Sequence, residues 1–204
     1  CSMSPPLPCP ECVQNSFCSG TIYEANGPRF FRDPFNPAAV QLTEAGILQI
    51  EFRDANAAKM SYVIGNKSRT LQIQRQVFQA SAAPPAIDYT DLWWNPNESG
   101  WGLGITQQSG VMFLAWFVYE DTGRPIWYVA SNCAVKGGGN GCSGTLYRTS
   151  GPPGPIASST FDASQVRVSA VGTIDVTFTD ANNGVISYTV DNVPGSKAIT
   201  RQLF

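Results

Sequence analysis

Histidine is absent from the 204-residue sequence. Its absence removes the commonest general base and the usual Ser–His and Cys–His nucleophile arrangements, so we expect no catalytic site of those kinds. Charged residues are also scarce, at 14% of the chain, and the formal net charge is −2. A nucleic-acid or anionic-membrane surface needs an excess of basic residues, and we therefore expect neither partner. No window reaches the roughly 18 apolar residues of a membrane-spanning helix, so no transmembrane segment is predicted.

The sequence is rich in the residues that form strands and turns. It has 19 glycines and 15 prolines, and short runs of Thr, Val, Ile and aromatic residues alternate with turn signals. No segment shows a sustained helical period with caps. These features predict an all-β protein of two tandem antiparallel meander units, each barrel-like or part of a sandwich.

The sequence has six cysteines, Cys1, Cys9, Cys12, Cys18, Cys133 and Cys142. All except Cys12 lie beside Pro, Gly, Ser or Asn, in contexts typical of loops. An even number of cysteines in such contexts indicates disulfides formed outside the cytoplasm. The expected local pairs are Cys133–Cys142 and Cys12–Cys18, which leaves Cys1–Cys9. We therefore expect an extracellular or cell-surface protein, exported with a signal peptide that has been removed.

Two other interpretations of the cysteines are weaker. The start at Cys1-Ser2 resembles a processed bacterial lipoprotein, in which the first cysteine carries the lipid, but this would leave an odd number of cysteines for pairing. A zinc site at Cys9-Pro-Glu-Cys12 would need a second ligand pair, and Cys133 and Cys142 have the wrong spacing to supply it. We therefore expect neither a metal nor a cofactor.

The chain contains an internal repeat, with matched residues at one constant separation. The matched positions include Gly46 and Gly172, Phe52 and Phe178, Asp54-Ala-Asn56 and Asp180-Ala-Asn182, Ser61-Tyr62 and Ser187-Tyr188, and Arg75 and Arg201. Cys18-Ser-Gly-Thr21 also matches Cys142-Ser-Gly-Thr145, at a slightly shorter separation. A separation that stays ungapped through strands and turns gives both copies the same register.

The two copies are unequal in length. The aromatic segment from Leu92 to Ser131 has no counterpart in the first copy. The sequence therefore predicts an incomplete first unit over residues 1–78, a linker over 79–87 and a complete second unit over 88–204. An incomplete β unit exposes strand edges. Three explanations are open: loss of the missing strands by processing, closure of the halves on each other, or strands supplied by a neighbouring chain.

The stretch from Asp91 to Gly104 contains three of the five tryptophans. Tryptophan is large and amphipathic, so such a cluster forms either a β core or the floor of a binding site. The candidate ligand-binding residues are Trp94, Trp101, Trp116, Trp127 and Glu98. A neighbouring ring from Trp116 or Trp127 is expected to cover the glycine face of Gly100, Gly102 and Gly104. Glu98 could work with Asp91 or Glu120 as a glycosidase-like pair, but a structural role in its turn is favoured.

Three motifs carry a resemblance to a known module. They run from Trp93 to Gly102, from Trp116 to Tyr128 and from Lys197 to Phe204, and they resemble a repeat module of secreted and cell-surface proteins of proteobacteria. The resemblance covers Leu92–Phe204 well and 12–78 for the back half only. It implies an exported location and a β-rich module, and it brings no enzymatic activity.

These observations together predict a non-catalytic extracellular structural or adhesive protein. Its most specific form is a filament subunit assembled by strand sharing, with self-association through β-strand edges. The alternative is a secreted module that binds a carbohydrate or another small ligand on its tryptophan cluster, with a glycan as partner. A carbohydrate-active enzyme that uses Glu98 is a third possibility.

Overall fold

The computed structural model describes residues 2–3 (backbone only), 17–31, 34–79, 84–152 and 161–203. The protein is all-β, as the sequence predicts. The described residues form strands and two short 3-10 helices, Pro37–Ala39 and Ala163–Gln165, without any α-helix. Within these ranges no helix has the length and apolar character to cross a membrane.

The strands form a five-stranded sheet and a closed eight-stranded antiparallel barrel. The sheet contains, in spatial order, β1 (Ser2–Met3), β2 (Phe17–Asn26), β3 (Gln41–Phe52), β4 (Ala57–Ile64) and β5 (Lys67–Gln74). The barrel contains β6 (Asp91–Trp94), β7 (Gly102–Gln108), β8 (Val111–Tyr119), β9 (Pro125–Val135), β10 (Gly141–Ser150), β11 (Arg167–Phe178), β12 (Asn183–Val190) and β13 (Val193–Arg201). Pairing of β13 with β6 and of β9 with β10 closes the barrel.

Two compact units divide the chain, and we call them the sheet unit and the barrel unit. The sheet unit includes Leu42–Gln76 and the strand residues up to Glu24, whereas the barrel unit includes Ala25–Gln41, Val77–Gly151 and the chain from Gln165 onward. The sequence placed residues 1–78 in one unit, but Ala25–Gln41 packs with the barrel instead. A short part of the predicted linker, residues 80–83, lies outside the described residues.

Alternation of side chains along the strands fills the barrel interior. On β8, Met112, Leu114, Trp116 and Val118 point inward and are at most 2% exposed. An eight-stranded barrel is just wide enough for such side chains to fill it. The outer face of β8 is apolar as well, and Phe117 on that face is 51% exposed. The barrel interior is therefore a packed core, and its outer wall carries exposed apolar residues.

The structure contains the repeat that the sequence indicates. The matched stretches of the two copies are β2 and β10, β3 and β11, β4 and β12, and β5 and β13. Their turns are held alike: Asp54 Oδ1 accepts from the backbone N–H of Asn56 at 2.7 Å, and Asp180 Oδ1 accepts from that of Asn182 at 2.7 Å. The sheet unit thus corresponds to one half of the barrel. β1 pairs with β2 as the end of β9 pairs with β10, since Met3 lies opposite Cys18 and Val135 lies opposite Cys142. The described residues contain no counterpart of β6–β8.

The strands shared by both copies differ in how well their apolar face is covered. Phe178 is 3% exposed and Ile199 is 1% exposed in the barrel, where β6–β9 complete the wall. Phe52 matches Phe178 but is 38% exposed, and Ile73 matches Ile199 but is half-buried. One face of the sheet unit therefore has the apolar residues that form the core in the barrel, but other side chains cover it only partly.

A segment between β2 and β3 packs into the barrel unit. This plug segment consists of residues 27–31 together with Phe35. Phe30 is 2% exposed, and its backbone N–H donates to the carbonyl oxygen of Tyr119 at 3.3 Å. A side chain at Gly27 would place its Cβ 2.6 Å from the Tyr119 ring, so only glycine fits there. The barrel core is thus completed by residues that the sequence had assigned to the first unit.

The predicted disulfide Cys133–Cys142 is confirmed, with its Cα atoms 5.3 Å apart. It joins the end of β9 to the start of β10, across a loop in which Gly138 and Gly139 have φ values of 96° and 78°. Cys18 is also disulfide-bonded. Cys1, Cys9 and Cys12 lie outside the described residues, and so do the predicted Cys12–Cys18 and Cys1–Cys9 pairs as a whole.

Candidate functional site

The tryptophans of the aromatic stretch are divided between the barrel interior and its outer surface. Trp93 and Trp116 are 0% exposed and Trp101 is 3% exposed, so all three belong to the core. Trp127 is 53% exposed, and Trp94 is half-buried on the outer side of β6. Of the four predicted stacking residues, only Trp94 and Trp127 present a face to solvent.

The two Phe rings of the plug segment fill the space beside the interior tryptophans. The Phe30 ring lies 5.1 Å from that of Trp101 and 5.3 Å from that of Trp116, both edge to face. The Phe31 ring lies 5.6 Å from Trp116 and 5.8 Å from Tyr128. These centroid distances and near-perpendicular planes are typical of packed aromatic pairs. The protein's own phenylalanines therefore occupy this part of the barrel.

Glu98 connects the turn after β6 to β13. Its Oε1 pairs with Lys197 Nζ at 2.6 Å, and its Oε2 accepts from Trp101 Nε1 at 3.1 Å. Its side chain is 20% exposed, and that of Lys197 is 18% exposed. Burial, and secondly the negative charge of Glu98, raises the pKa of Tyr188 to about 12. Both carboxylate oxygens are thus engaged in holding structure together.

Asp91, the predicted partner of Glu98, is held by a different cation. Its Oδ2 pairs with Arg201 Nη1 at 3.1 Å, while Glu98 pairs with Lys197. A glycosidase needs one carboxyl group free to give up a proton and a second one free to attack or to activate water. The ion pairs give these two carboxylates structural partners instead.

A groove runs along the outside of the barrel on β6–β8, and Trp127 of β9 lies next to it in the strand register. The strand register places Trp94 opposite Gly102, Gly102 opposite Phe117, and Phe117 opposite Trp127. A cavity of about 360 Å³ lies here, and Trp94, Gly102 and Phe117 are among the residues that line it. The ring nearest to Gly104 is that of Phe117, at 3.9 Å from where a Cβ would lie, and not that of Trp116 or Trp127.

A second cavity lies at the turn end of the sheet unit. Its volume is about 300 Å³, and it lies beside the turn between β3 and β4. We call it the end pocket; its lining residues are Phe52, Asp54, Ala55, Asn56, Ala57, Ala58, Ile73, Gln74 and Arg75. Phe52 and Ile73 give it an apolar wall, and Arg75 places a cation at its rim. It adjoins β5, which is the outermost strand of the sheet on that side.

The same position in the barrel is filled by residues of and before β6. The Tyr89 ring stacks on the Phe178 ring at a centroid distance of 3.7 Å, with 8° between their planes. The Trp93 ring lies 4.7 Å from Phe178, and Trp93 Nε1 donates to the carbonyl oxygen of Tyr89 at 3.1 Å. Phe178 is therefore covered by two aromatic rings from one short segment.

Arg201 anchors that segment at several points. Its guanidinium carbon lies 5.1 Å from the centre of the Trp93 ring, and its Nη1 pairs with Asp91 Oδ2 at 3.1 Å. Its Nη2 donates to the carbonyl oxygen of Asp88 at 2.9 Å. Arg75 is the matched residue of the sheet unit, where its backbone N–H donates to Asn56 O at 2.8 Å. The structure shows no side-chain partner of Arg75 among the described residues.

Sequence reasoning missed the plug segment and the end pocket. The repeat contained a signal for the pocket, because Phe52 and Arg75 match Phe178 and Arg201. No comparable signal marked Phe30 and Phe31. Within the described ranges, no cluster of three or more His, Cys, Asp or Glu side chains could hold a metal ion.

Comparison of the chain with protein-family models, with curated proteins and with solved structures finds no match.

Proposed function

We propose that this protein is a non-catalytic extracellular structural or adhesive protein that assembles through the open strand edges of its sheet unit. One observation carries the proposal: in the part of the chain that the structure describes, the sheet unit repeats the β10–β13 half of a closed barrel and leaves the outer edge of β5 without a neighbouring strand. Self-association into a filament by strand sharing is the form of assembly that the sequence predicts.

The outer edge of β5 is the main surface for this assembly. In the barrel, the matched strand β13 uses that edge to pair with β6, and Gln202 N–H donates to Leu92 O at 2.8 Å. An unpaired edge beside an exposed apolar face is a template for pairing with another chain. Phe52, at 38% exposure, belongs to that face.

Three further features support an extracellular structural role. The Cys133–Cys142 disulfide is of the kind that forms in an oxidising compartment. Two of the three carboxylates proposed for catalysis, Glu98 and Asp91, are held in ion pairs. The resemblance to a secreted bacterial module points to the same location.

A substitution on the open edge of β5 tests the proposal. Arg75 N–H donates to Asn56 O on the β4 side, and successive N–H groups in a strand point to opposite sides, so that of Gln74 faces the open edge. Gln74→Pro removes this donor, and proline is tolerated at such edge positions. Gln74→Ala is the matched control because it shortens the side chain and keeps the N–H.

Sedimentation velocity and electron microscopy of the 204-residue chain over a range of concentrations are the measurements. We expect concentration-dependent assembly of the wild-type chain and of Gln74→Ala, and loss of assembly in Gln74→Pro. A wild-type chain that stays monomeric at millimolar concentration would contradict the proposal.

The outer groove favours a second candidate function, binding of a carbohydrate or a small flat ligand. The observation that supports this candidate is a row of three rings, Trp94, Phe117 and Trp127. Phe117 is 51% exposed and Trp127 is 53% exposed. Titration of tryptophan fluorescence against a glycan panel tests it. Binding that Trp127→Ala abolishes and Val168→Ala leaves intact would support it, because Val168 is an exposed apolar residue elsewhere on the barrel.

A further inference from the structure

A third cavity lies beside the plug segment, at the end of the barrel where β8 turns into β9 and β12 turns into β13. Its volume is about 270 Å³, and we call it the plug-end cavity. Pockets for drug-sized ligands begin at roughly 300 Å³, so this cavity has the size for a smaller group such as one sugar ring. All of its lining residues belong to the barrel unit, and those that carry the argument are Phe31, Glu120, Tyr128, Arg148, Asp191 and Val193.

Arg148 has hydrogen-bond donors in this cavity that the protein leaves without acceptors. Its Nη2 donates to Tyr128 Oη at 3.0 Å and lies 3.7 Å from Asp191 Oδ2. Its Nε is buried and has no hydrogen-bond partner among the described residues, and its Nη1 makes no hydrogen bond to them either. A buried N–H without an acceptor is unfavourable. An acceptor that enters the cavity would supply what the guanidinium lacks.

Carboxylates stand close to this cation. The charges of Asp191 and Glu120 raise the pKa of Arg148, after the larger effect of its hydrogen bond to Tyr128. Within the described ranges, the Glu120 carboxylate makes no hydrogen bond or ion pair. With Asp121, three carboxylates and one guanidinium line the cavity, an excess of two negative charges. This excess disfavours an anionic ligand, and the guanidinium disfavours a cationic one.

Apolar groups form the rest of the wall. The rings of Phe31 and Tyr128 lie 5.8 Å apart with 78° between their planes, and Val193 also contributes. A ligand site typically combines such a wall with a few polar groups that fix the orientation of the ligand. A sugar matches both parts, because each hydroxyl can accept from a guanidinium and donate to a carboxylate, and its C–H groups can pack on a ring.

We propose that the plug-end cavity binds one neutral sugar residue, with its hydroxyls between Arg148 and Glu120 and its C–H face against Phe31. The cavity shares no lining residue with the outer groove or with the end pocket. The inference therefore goes beyond the assembly proposed above and does not depend on it.

Saturation-transfer NMR of the 204-residue chain with single sugars tests the inference. The neutral probes are glucose, galactose, mannose and N-acetylglucosamine, and the charged ones are glucuronate and glucosamine. We expect saturable binding of at least one neutral sugar, with weaker binding of its charged counterpart. Arg148→Met and Glu120→Gln should each weaken the binding about tenfold, because each removes a charge-assisted hydrogen bond.

Two features of these variants separate binding from folding. Glu120→Gln keeps the shape of a side chain that makes no contact with the described residues through its carboxylate. Arg124→Ala is the matched control for charge, since Arg124 is an exposed cation of the same turn that does not line the cavity. It should bind as the wild type does.

Three results would overturn the inference. The first is absence of binding by all neutral sugars, and the second is tighter binding of glucuronate or glucosamine. The third is binding that Arg148→Met and Glu120→Gln leave unchanged; if Trp127→Ala then abolished it, the sugar site would lie in the outer groove. None of these results bears on the assembly that Gln74→Pro tests.

Discussion

Phe178 and Phe52 occupy the same position in two copies of one four-strand repeat, yet Phe178 is 3% exposed and Phe52 is 38% exposed. Tyr89, stacked at 3.7 Å, and Trp93, at 4.7 Å, cover Phe178. The difference between the two sites therefore lies in what packs against them, and the chain provides its own matched comparison for measuring it.

The same substitution in the two copies should have very different effects. Phe178→Ala should lower the free energy of unfolding of the barrel unit by about 3–5 kcal/mol, because it leaves a cavity in a packed core. Phe52→Ala should cost about 1 kcal/mol or less, because its ring is already partly solvated. Denaturant unfolding followed by tryptophan fluorescence reports on the barrel, since all five tryptophans lie in that unit.

Hydrogen exchange of the β4 and β5 amides is the complementary measurement for the sheet unit. Suppose that Phe52→Ala lowers the protection of these amides as much as Phe178→Ala lowers the protection of the barrel amides. That result would mean that the Phe52 ring is covered to the same extent as the Phe178 ring.

The repeat could be predicted from the sequence because its signal is local and periodic. The constant separation between Asp54-Ala-Asn56 and Asp180-Ala-Asn182 fixed the turns, and the strand register followed from them. The face of each tryptophan could not be predicted in the same way. Trp93 and Trp94 are adjacent, and a shift of one residue exchanges the inward and outward positions.

The plug segment escaped prediction for a different reason. Phe30 and Phe31 are adjacent, so they show neither strand alternation nor a helical period. Their partners Trp116 and Tyr188 are far away in the sequence and come near only in the folded barrel. The ion pair of Glu98 with Lys197 is of the same kind, since the two residues lie 99 positions apart. Contacts of this range depend on the tertiary fold and carry no local pattern.

Glu98 should behave as a structural residue when it is replaced. Glu98→Gln keeps an acceptor for Trp101 Nε1, whose contact with Glu98 is 3.1 Å long. It loses the ion pair with Lys197, in which the two atoms are 2.6 Å apart. We expect a loss of about 1–2 kcal/mol in the free energy of unfolding, and about 2–3 kcal/mol for Glu98→Ala, which leaves the indole N–H without its acceptor. Urea unfolding followed by tryptophan fluorescence measures both.

A double-mutant cycle with Lys197→Met isolates the Glu98–Lys197 interaction from other effects. The coupling energy should be about 1 kcal/mol, since both side chains are partly buried. If Glu98→Gln left stability unchanged and instead abolished a glycan hydrolysis by the wild-type chain, the catalytic alternative would replace the structural one.

Tyr188 should make the barrel sensitive to alkaline pH. Burial, followed by the charge of Glu98, raises the pKa of Tyr188 from 10.0 to about 12. The phenol therefore ionises more readily in the unfolded chain than in the folded one. Stability is unaffected below about pH 10 and falls as the pH rises toward 12, by up to roughly 2–3 kcal/mol. Urea midpoints measured across this range test the prediction.

Tyr188→Phe is the matched control for the alkaline effect. It removes the ionisable group and keeps the ring that contacts Trp116 at 4.7 Å. Its stability should fall less steeply above pH 10 than that of the wild type. Some decline should remain, because burial also raises the pKa values of Tyr119 and Tyr128. Identical pH profiles of the two proteins would contradict the assigned pKa shift.

The plug segment should be a required part of the barrel core. Phe30 is 2% exposed, and its ring packs against those of Trp101 and Trp116. Phe30→Ala should therefore lower the free energy of unfolding of the barrel by about 3–5 kcal/mol. It should also shift the tryptophan emission to longer wavelength, because water reaches two indoles. Phe117→Ala is the control, since Phe117 is 51% exposed on the outer wall, and it should cost less than about 1 kcal/mol. Equal effects of the two substitutions would mean that the interior space is not sealed by Phe30. In that case a ligand from solvent could reach Trp101 and Trp116. These two residues, which the plug segment covers, would then again be candidate ligand-binding residues.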